Sequence, residues 1–268
     1  METKESLEEV KKELRENHFS ELTLLNYCFF IEKFLLHCNK SLDAIAADDV
    51  QSYISSLQAS KSSSTISLAT ASLKFLFSQV LKKDFPSLQF PKKEKTASSF
   101  LVKEEVKKMI ESADTKKSKL MISLLYATGL KVSELVNLKP GDLNLEQKTG
   151  TVRKALGGAH TVSLSQRLSE EIKEYLEGYK GLYLFSLHQP LTTRNIQKIV
   201  KTTAKRAGIE KKITPHTLRS SFAKHLLESG IDERVIAKIM GYAKKNNQFD
   251  LQFQDQLLKV KNPHDSLE

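Results

Sequence analysis

A histidine and an arginine stand three residues apart in the segment Thr-Pro-His-Thr-Leu-Arg, at positions His216 and Arg219. Residues at this spacing share one face of a helix, so both side chains can reach the same anion. An imidazole and a guanidinium both donate hydrogen bonds to phosphate oxygens, and the guanidinium can donate two in parallel. On its own, such a spacing more often marks a pair of solvated surface side chains, so a second group of residues must decide.

A second group of polar residues follows an apolar run, in the segment Thr-Gly-Leu-Lys-Val-Ser-Glu-Leu (128–135). Lys131 supplies a cation, and Glu134 supplies a carboxylate three residues later. Other chemistries find no support, because the sequence has no phosphate-cradling glycine loop, no dinucleotide-binding fingerprint and no metal-ligand spacing. The two cysteines, Cys28 and Cys38, are too few for a four-thiolate zinc site.

Together the two segments strongly resemble the tyrosine recombinase, or phage integrase, family, and its archaeal and bacterial Xer branch in particular. The runs that carry the resemblance are Leu-Leu-Tyr-Ala-Thr-Gly-Leu-Lys-Val-Ser-Glu-Leu (124–135) and Thr-Pro-His-Thr-Leu-Arg-Ser-Ser-Phe-Ala-Lys-His-Leu-Leu (214–227). A helical N-terminal part and a basic linker precede the first run, and a β-hairpin lies between the two, as in the family. The resemblance covers about residues 15–268.

The resemblance implies that the substrate is double-stranded DNA and that no metal or nucleotide cofactor takes part. In this family a tyrosine attacks the scissile phosphate and forms a 3′-phosphotyrosyl link, while two arginines and a histidine hold the phosphate oxygens. A lysine in the hairpin protonates the leaving 5′-oxygen, and a late histidine or tryptophan supports the pocket. Fixed donors lower the barrier because the pentacovalent phosphorus gains negative charge. His216 and Arg219 hold the histidine and second-arginine positions.

Two of the other family positions carry different residues here. Lys131 stands where the family has its first arginine, and a lysine keeps the charge but lacks the planar fork that binds two oxygens. Glu134 holds the acidic position that braces this arginine. In the hairpin the lysine position falls on Ala155 or Leu156, and the neighbouring Lys154 could serve only through a slip of strand register.

The nucleophile position also lacks its reacting group. None of the seven tyrosines follows residue 242; they are Tyr27, Tyr53, Tyr126, Tyr175, Tyr179, Tyr183 and Tyr242. The family interval counted from Gly241 falls on Leu251, whereas alignment on the tail falls on Phe249, and neither side chain has a hydroxyl. Tyr242 holds the late-histidine position, where its hydroxyl can donate one hydrogen bond.

Three interpretations stay open at this point. The first is a protein that binds DNA without cleaving it, and the second is an active recombinase that uses Tyr242 or a tyrosine of a partner subunit. The third is an inactive regulatory subunit of a recombinase assembly, whose C-terminal segment 253–268 docks on a neighbouring copy as in the family. The first two require a DNA duplex as a partner, whereas the third would also stand if the chain bound no duplex. Self-association or pairing with another recombinase subunit on DNA is expected as well.

The charge of the chain agrees with a nucleic-acid partner. Its 42 Lys and Arg outnumber its 32 Asp and Glu, and the net charge of +10 lies entirely in residues 101–268. Lysine-rich surfaces suit phosphate contacts, although a basic solvated surface would have the same composition. We expect additional phosphate contacts from a set of basic residues: Lys74, Lys92, Lys93, Lys95, Arg153, Lys154 and Arg194.

Hydrophobic periodicity predicts an α+β protein that is mainly α-helical with one small β-hairpin. Residues 1–84 are expected to form four helices and, by the resemblance, a SAM-like core-binding domain. Residues 85–99 read as a basic linker, and residues 100–268 as a recombinase catalytic-type domain. Ser20 is expected to cap the second helix. No apolar run is long enough to span a bilayer and the N-terminus is polar, so we expect a cytoplasmic protein with no membrane partner.

Overall fold

The computed structural model describes residues 2–40, 44–88, 100–153, 158–241 and 260–267. The chain divides into two compact units, Met1–Thr96 and Ala97–Glu268. Each unit has its own hydrophobic core. The mainly helical structure with one small antiparallel sheet confirms the fold class predicted from the sequence.

In its described residues, 2–40 and 44–88, the N-terminal unit has four helices and a π-helical turn. They are α1 (Glu2–Glu16), α2 (Glu21–Cys38), α3 (Ala47–Gln58), α4 (Ser63–Phe75) and the π-helical turn Leu76–Val80. α2 begins after Ser20, as predicted, because the Ser20 hydroxyl oxygen accepts a hydrogen bond from the backbone N–H of Thr23 at 3.2 Å. The helices pack on one another through apolar side chains that include Phe34, Ile54 and Leu73.

Two residues that the sequence assigns to the linker pack with the N-terminal unit. Phe85 and Leu88 lie against its core, and the ring of Phe85 meets that of Phe77 edge-on, with 5.6 Å between centroids. Burial of their apolar surface is more favourable than exposure in a linker. The packed structure of this unit therefore continues to residue 88. Lys74, one of the expected phosphate contacts, is exposed on α4.

The C-terminal unit is built around one buried helix. Its helices are α5 (Lys103–Glu111), α6 (Lys116–Thr128), α7 (Val132–Val136), α8 (Gln166–Leu176), α9 (Thr193–Arg206), α10 (Pro215–Glu228) and α11 (Glu233–Ile239). Every residue of α6 from Leu120 to Thr128 is buried, because α5, α8 and α10 pack around it. A helix buried on all sides belongs to the domain core, so α6 fixes the position of the turn that follows it.

A three-stranded antiparallel sheet follows α7 in the chain. Its strands are β1 (Leu143–Asn144), β2 (Thr149–Arg153) and β3 (Ala159–Ser163), in the order β1-β2-β3. β2 and β3 are the two strands of the predicted hairpin, and Arg153 pairs with Ala159 at its end. The sequence does not predict β1, because two residues are too few to show the alternation of a strand.

The described part of the tail ends in a short 3₁₀ turn, Pro263–Ser266, that packs on α6, α8 and α10. Of the C-terminal segment 253–268, the structure describes residues 260–267. Within the described ranges, no helix is both long and apolar enough to cross a membrane.

Candidate functional site

The turn that carries Lys131 starts at a glycine with no room for a side chain. Gly129 ends α6 in the left-handed conformation, with φ at +62°, which other L-residues adopt only at a cost. A Cβ atom there would lie 2.9 Å from Sδ of Met240 and 2.9 Å from Cδ1 of Phe222. This close approach of α6, α10 and the end of α11 fixes the direction in which Leu130 and Lys131 leave the helix.

Lys131 and Glu134 lie together at the start of α7. The backbone N–H of Lys131 donates to Oε2 of Glu134 at 2.8 Å, and Nζ of Lys131 lies 3.9 Å from Oε1 of the same carboxylate. The Glu134 side chain is buried, whereas the Lys131 side chain is half exposed. The buried carboxylate therefore orients a lysine whose ammonium group remains accessible to an anion.

Arg219 joins the two sequence segments in space. Its side chain is only 4% exposed and donates from Nη1 to the carbonyl oxygen of Gly129 and from Nη2 to that of Met240. The first carbonyl belongs to the turn before Lys131, and the second lies at the end of α11. At least two of the five guanidinium N–H groups thus bind backbone, which is a structural role that the sequence motif does not predict.

His216 lies at the N-terminus of α10, close to Arg219 in sequence but different in environment. The hydroxyl oxygen of Thr214 caps this helix by accepting from the N–H of Thr217 at 3.2 Å, and Pro215 occupies the first turn. The His216 side chain is exposed, whereas that of Arg219 is buried. The backbone N–H groups and the dipole of a helix N-terminus favour anions, so His216 stands where a phosphate would be stabilised.

The β-hairpin contributes one arginine and one histidine. Arg153 is paired with Asp142, with nitrogen–oxygen distances of 2.9 and 3.3 Å, so part of its charge is already compensated. His160 lies on β3, and a Cβ atom built on Gly241 would be 3.9 Å from its Nε2. Gly241 directly follows the residue whose carbonyl binds Arg219, which brings His160 into the same region. No motif marks His160 in the sequence; its position just after the hairpin turn is the one available signal.

The remaining predicted residues fall into two groups. Arg194 is exposed in the first turn of α9, and Lys74 is exposed in the N-terminal unit. Six others lie outside the described residues: Lys92, Lys93, Lys95, Lys154, Tyr242 and Phe249. Of the predicted site, the structure brings together the turn at Lys131 and the guanidinium group of Arg219.

A buried tyrosine packs beneath the turn that carries Lys131. Tyr126 on α6 is fully buried against Phe222, and its hydroxyl oxygen lies 2.9 Å from Nδ1 of His225 on α10. Burial raises the pKa of Tyr126 and lowers the pKa of His225, so both groups stay neutral at neutral pH. A phenol that must lose its proton and meet a DNA phosphate cannot do so from this position.

The last described residues, 260–267, contact the C-terminal unit through polar side chains. Nδ2 of Asn262 donates to the carbonyl oxygen of Ala127 at 2.7 Å. The carboxylate of Asp265 accepts from the backbone N–H groups of Gln166 and Arg167, at 3.4 and 3.2 Å. The start of α8 favours this negative charge, so these contacts hold the segment against α6 and α8.

His264 anchors the same segment inside the unit. It is fully buried, and its Nδ1 lies 2.9 Å from Oγ of Ser165, the residue that caps α8. Burial lowers the pKa of His264 to about 4, in spite of the nearby carboxylates of Glu171 and Asp265. The ring is therefore neutral at neutral pH and packs without an uncompensated charge.

Family models match both units of the chain. The model of the Phage integrase family matches residues 99–248, more than half of the chain, and that of the Phage integrase N-terminal SAM-like domain matches residues 7–87. The first match includes the turn at Lys131, the hairpin and all of α10. The second match includes α2, α3 and α4, together with the apolar residues that follow them.

Individual proteins of the same kind resemble the chain over most of its length. Tyrosine recombinase XerA of Pyrococcus furiosus is 38% identical over 251 residues, which are 89% of this chain and 86% of XerA. Tyrosine recombinase XerD of Listeria innocua is 40% identical over 173 residues, 58% of each chain. A crystal structure of a lambda integrase dimer bound to a COC′ core site has the same fold, with a TM-score of 0.74 and 18% identity over 92% of this chain and 97% of that one. The chain therefore belongs to the phage integrase family, among the Xer-type tyrosine recombinases.

Proposed function

We propose that this protein binds duplex DNA in site-specific recombination but does not cleave it. The observation that carries the proposal is that this chain has different residues at three catalytic positions of the family. Lys131 replaces the first arginine, and the positions matched to the hairpin lysine and the tyrosine hold no reacting group. Without a hydroxyl at the nucleophile position, no phosphotyrosyl intermediate can form there. The protein acts in the cytoplasm and needs no cofactor.

The geometry of the site supports retained binding. The ammonium group of Lys131 is accessible, and His216 is exposed at a helix N-terminus, so both can contact phosphate oxygens. Arg219 binds the backbone on both sides of this region and keeps the two segments together. Lys131 and His216 can therefore contact a DNA backbone, with Arg219 holding the segments that carry them, without supplying the groups that break it.

The relatives support the choice of partners. Solved structures that share this fold include lambda integrase as a dimer on a core site and as a tetramer on a Holliday junction. We infer a DNA duplex and a second recombinase subunit as the partners of this chain. The excess of positive charge in residues 101–268 favours the same conclusion.

The absence of cleavage is tested by trapping a covalent adduct. The full chain is incubated with a pool of nicked duplexes of randomised sequence, and the products are separated on a denaturing gel. No protein–DNA adduct is expected, while the Pyrococcus furiosus XerA on the same pool serves as the positive control. An adduct formed by the wild-type chain would overturn the proposal, whichever residue formed it.

One observation favours a second candidate function, in which Tyr242 is a displaced nucleophile. Tyr242 lies two residues after Met240, whose backbone carbonyl accepts a hydrogen bond from Arg219. In the adduct experiment this candidate predicts a covalent product that the variant Tyr242→Phe abolishes. An adduct that survives Tyr242→Phe would instead require another nucleophile. If the chain binds no duplex even at low salt, the inactive regulatory subunit is the remaining interpretation.

Removing Lys131 is expected to weaken DNA binding and its salt dependence together. If the ammonium group neutralises one phosphate, the slope of log K against log salt concentration becomes shallower by about 0.9 in Lys131→Ala. Fluorescence anisotropy with a short random-sequence duplex measures this slope. The control is Lys116→Ala at the opposite end of α6, roughly 18 Å away by helix rise. Equal slopes for the two variants would show that Lys131 contacts no phosphate.

A further inference from the structure

A hollow lies in the C-terminal unit, at the end of α6 opposite to the turn at Lys131. Its volume is about 550 Å³, and it opens between the start of α6, the end of α8 and residues 185–189. The start of α6 is roughly 18 Å from that turn by helix rise, so the hollow is separate from the candidate site. We call it the α8 pocket and define it by six of its lining residues: Lys117, Tyr175, Tyr179, Phe185, Leu187 and His188.

The floor of the α8 pocket is aromatic, and its rings are held by contacts of their own. The centroid of the Tyr175 ring lies 5.4 Å from that of Tyr179 and 5.9 Å from that of Phe185, as in packed aromatic pairs. The hydroxyl group of Tyr179 donates to the carbonyl oxygen of Tyr183 at 2.6 Å, and Phe185 is buried. The floor is therefore preformed, so a ligand does not have to order it on binding.

The outer wall of the α8 pocket is a short turn of the backbone. The N–H of Leu182 donates to the carbonyl oxygen of Leu187 at 2.9 Å and closes the turn. The N–H of Leu184 donates to the carbonyl oxygen of Leu138 at 2.7 Å and ties the turn to the chain after α7. Leu187 is nevertheless 57% exposed, and His188 is exposed as well. The pocket is therefore open on this side, where a side chain carried by another protein can enter.

The rim of the α8 pocket is basic. Lys117 is half-buried and forms no ion pair with any residue that the structure describes. The neighbouring Lys116 is already paired with Glu174, at 2.5 Å between Nζ and Oε1. Residues 116–119 and 173–180, which contain Lys117 and both tyrosines of the floor, carry five lysines against two glutamates. An incoming ligand thus meets a positive field and an available cation beside apolar rings.

We propose that the α8 pocket binds an aromatic side chain from an acidic segment of a partner protein. The ring packs on Tyr175 and Phe185, and the acidic residues beside it face Lys117. Buried aromatic anchors are a common source of affinity between proteins. A DNA duplex fits the pocket less well, because the phosphates on its surface would leave the apolar floor uncovered. The proposal does not rest on the proposed DNA binding.

A tryptophan peptide tests the pocket directly, because the chain itself contains no tryptophan. The probe is the synthetic peptide Glu-Asp-Glu-Trp-Glu-Asp-Glu, titrated with the full chain without DNA while the tryptophan emission is recorded. A saturable shift to shorter wavelength is expected, because the indole ring leaves water for the aromatic floor. The same peptide with lysines in place of the six acidic residues is expected to bind about tenfold more weakly.

Two substitutions with matched controls locate the peptide on the chain. Leu187→Glu places a carboxylate at the entrance and is expected to weaken binding of the acidic peptide about tenfold. Its control is Leu227→Glu, at a site on α10 that is 48% exposed, which is expected to keep the affinity. Lys117→Ala is expected to weaken binding about threefold, and Lys119→Ala, an exposed lysine of the same helix outside the pocket, by less. The melting temperatures of the four variants show whether each is folded.

Several outcomes would overturn the proposal. They are the absence of a saturable shift, equal binding of the acidic and the lysine peptide, and equal affinities of Leu187→Glu and Leu227→Glu for the acidic peptide. A short thymidine oligonucleotide that binds more tightly and displaces the peptide would make the pocket a site for unstacked bases. Self-association of the free chain that Leu187→Glu abolishes would make a second copy the occupant. Duplex binding is measured separately, so its failure would leave the peptide result standing.

Discussion

Replacing Arg219 with alanine is expected to lower the melting temperature of the C-terminal unit by about 10 °C, even without DNA. The change leaves the carbonyl oxygens of Gly129 and Met240 without their donors in a packed region, at a cost of roughly 1–3 kcal/mol each. It also removes a buried side chain that fills the space between the two segments. Differential scanning calorimetry of the full chain measures the shift.

Two further variants identify the cause of this loss. Arg219→Lys keeps the charge, but a single ammonium group cannot bridge two carbonyls as the guanidinium fork does, so an intermediate loss is expected. Arg234→Ala removes an equally charged but exposed side chain of α11, with an expected change within about 0.5 kcal/mol. If Arg219→Ala melts at the same temperature as Arg234→Ala, the backbone contacts of Arg219 do not stabilise the fold.

The variant Gly129→Ala is expected to reduce the free energy of unfolding by about 2–5 kcal/mol, through two separate effects. The left-handed conformation costs an alanine roughly 1–2 kcal/mol. The new Cβ would lie 2.9 Å from both Met240 and Phe222, and overpacking of this kind costs about 1–3 kcal/mol. Because the turn must move, Lys131 shifts as well, and DNA affinity should fall with stability. Urea unfolding gives the first quantity and an anisotropy titration the second.

A control variant at a second glycine, Gly208, separates the energetic cost of the backbone conformation from the cost of overpacking. Gly208 follows α9 with φ at +69°, and no atom lies within 4 Å of a Cβ built on it. Gly208→Ala should therefore lose only the conformational part. If Gly129→Ala and Gly208→Ala lose the same free energy of unfolding, Met240 and Phe222 move aside at little cost. The close packing at the turn would then not constrain Lys131.

Features that depend on neighbours in the sequence could be predicted. The cap at Ser20 was visible because a cap and its helix adjoin. The contact between Lys131 and Glu134 follows from a spacing of three residues at a helix start. The helical class followed from apolar periodicity, and the candidate site followed from its resemblance to a family. The packing of Phe85 and Leu88 on the N-terminal core could not be predicted, because two isolated apolar residues on either side of a proline show no periodicity.

Features that join distant residues could not be predicted. Arg219 donates to the carbonyl oxygen of Gly129, 90 residues earlier in the chain, and to that of Met240, 21 residues later. Because every residue has a backbone carbonyl, the sequence does not indicate which ones accept these bonds. The same holds for Tyr126 and His225, which are 99 residues apart. The motif predicts a phosphate contact for Arg219 but does not reveal that the fold uses this side chain to hold two segments together. Only the packed structure shows this structural role.

The docked tail also has a consequence for the order in which the molecule folds. The hydrogen bond from Asn262 to Ala127 closes a loop of 135 residues, and that between His264 and Ser165 closes one of 99. The N-terminal unit relies on shorter-range contacts, such as that between Tyr53 and Phe30, 23 residues apart. Because distant contacts slow the search for the native state, the N-terminal unit should reach its structure first. The C-terminal unit is complete only when residues 260–267 have docked and Asn262 donates to the carbonyl oxygen of Ala127.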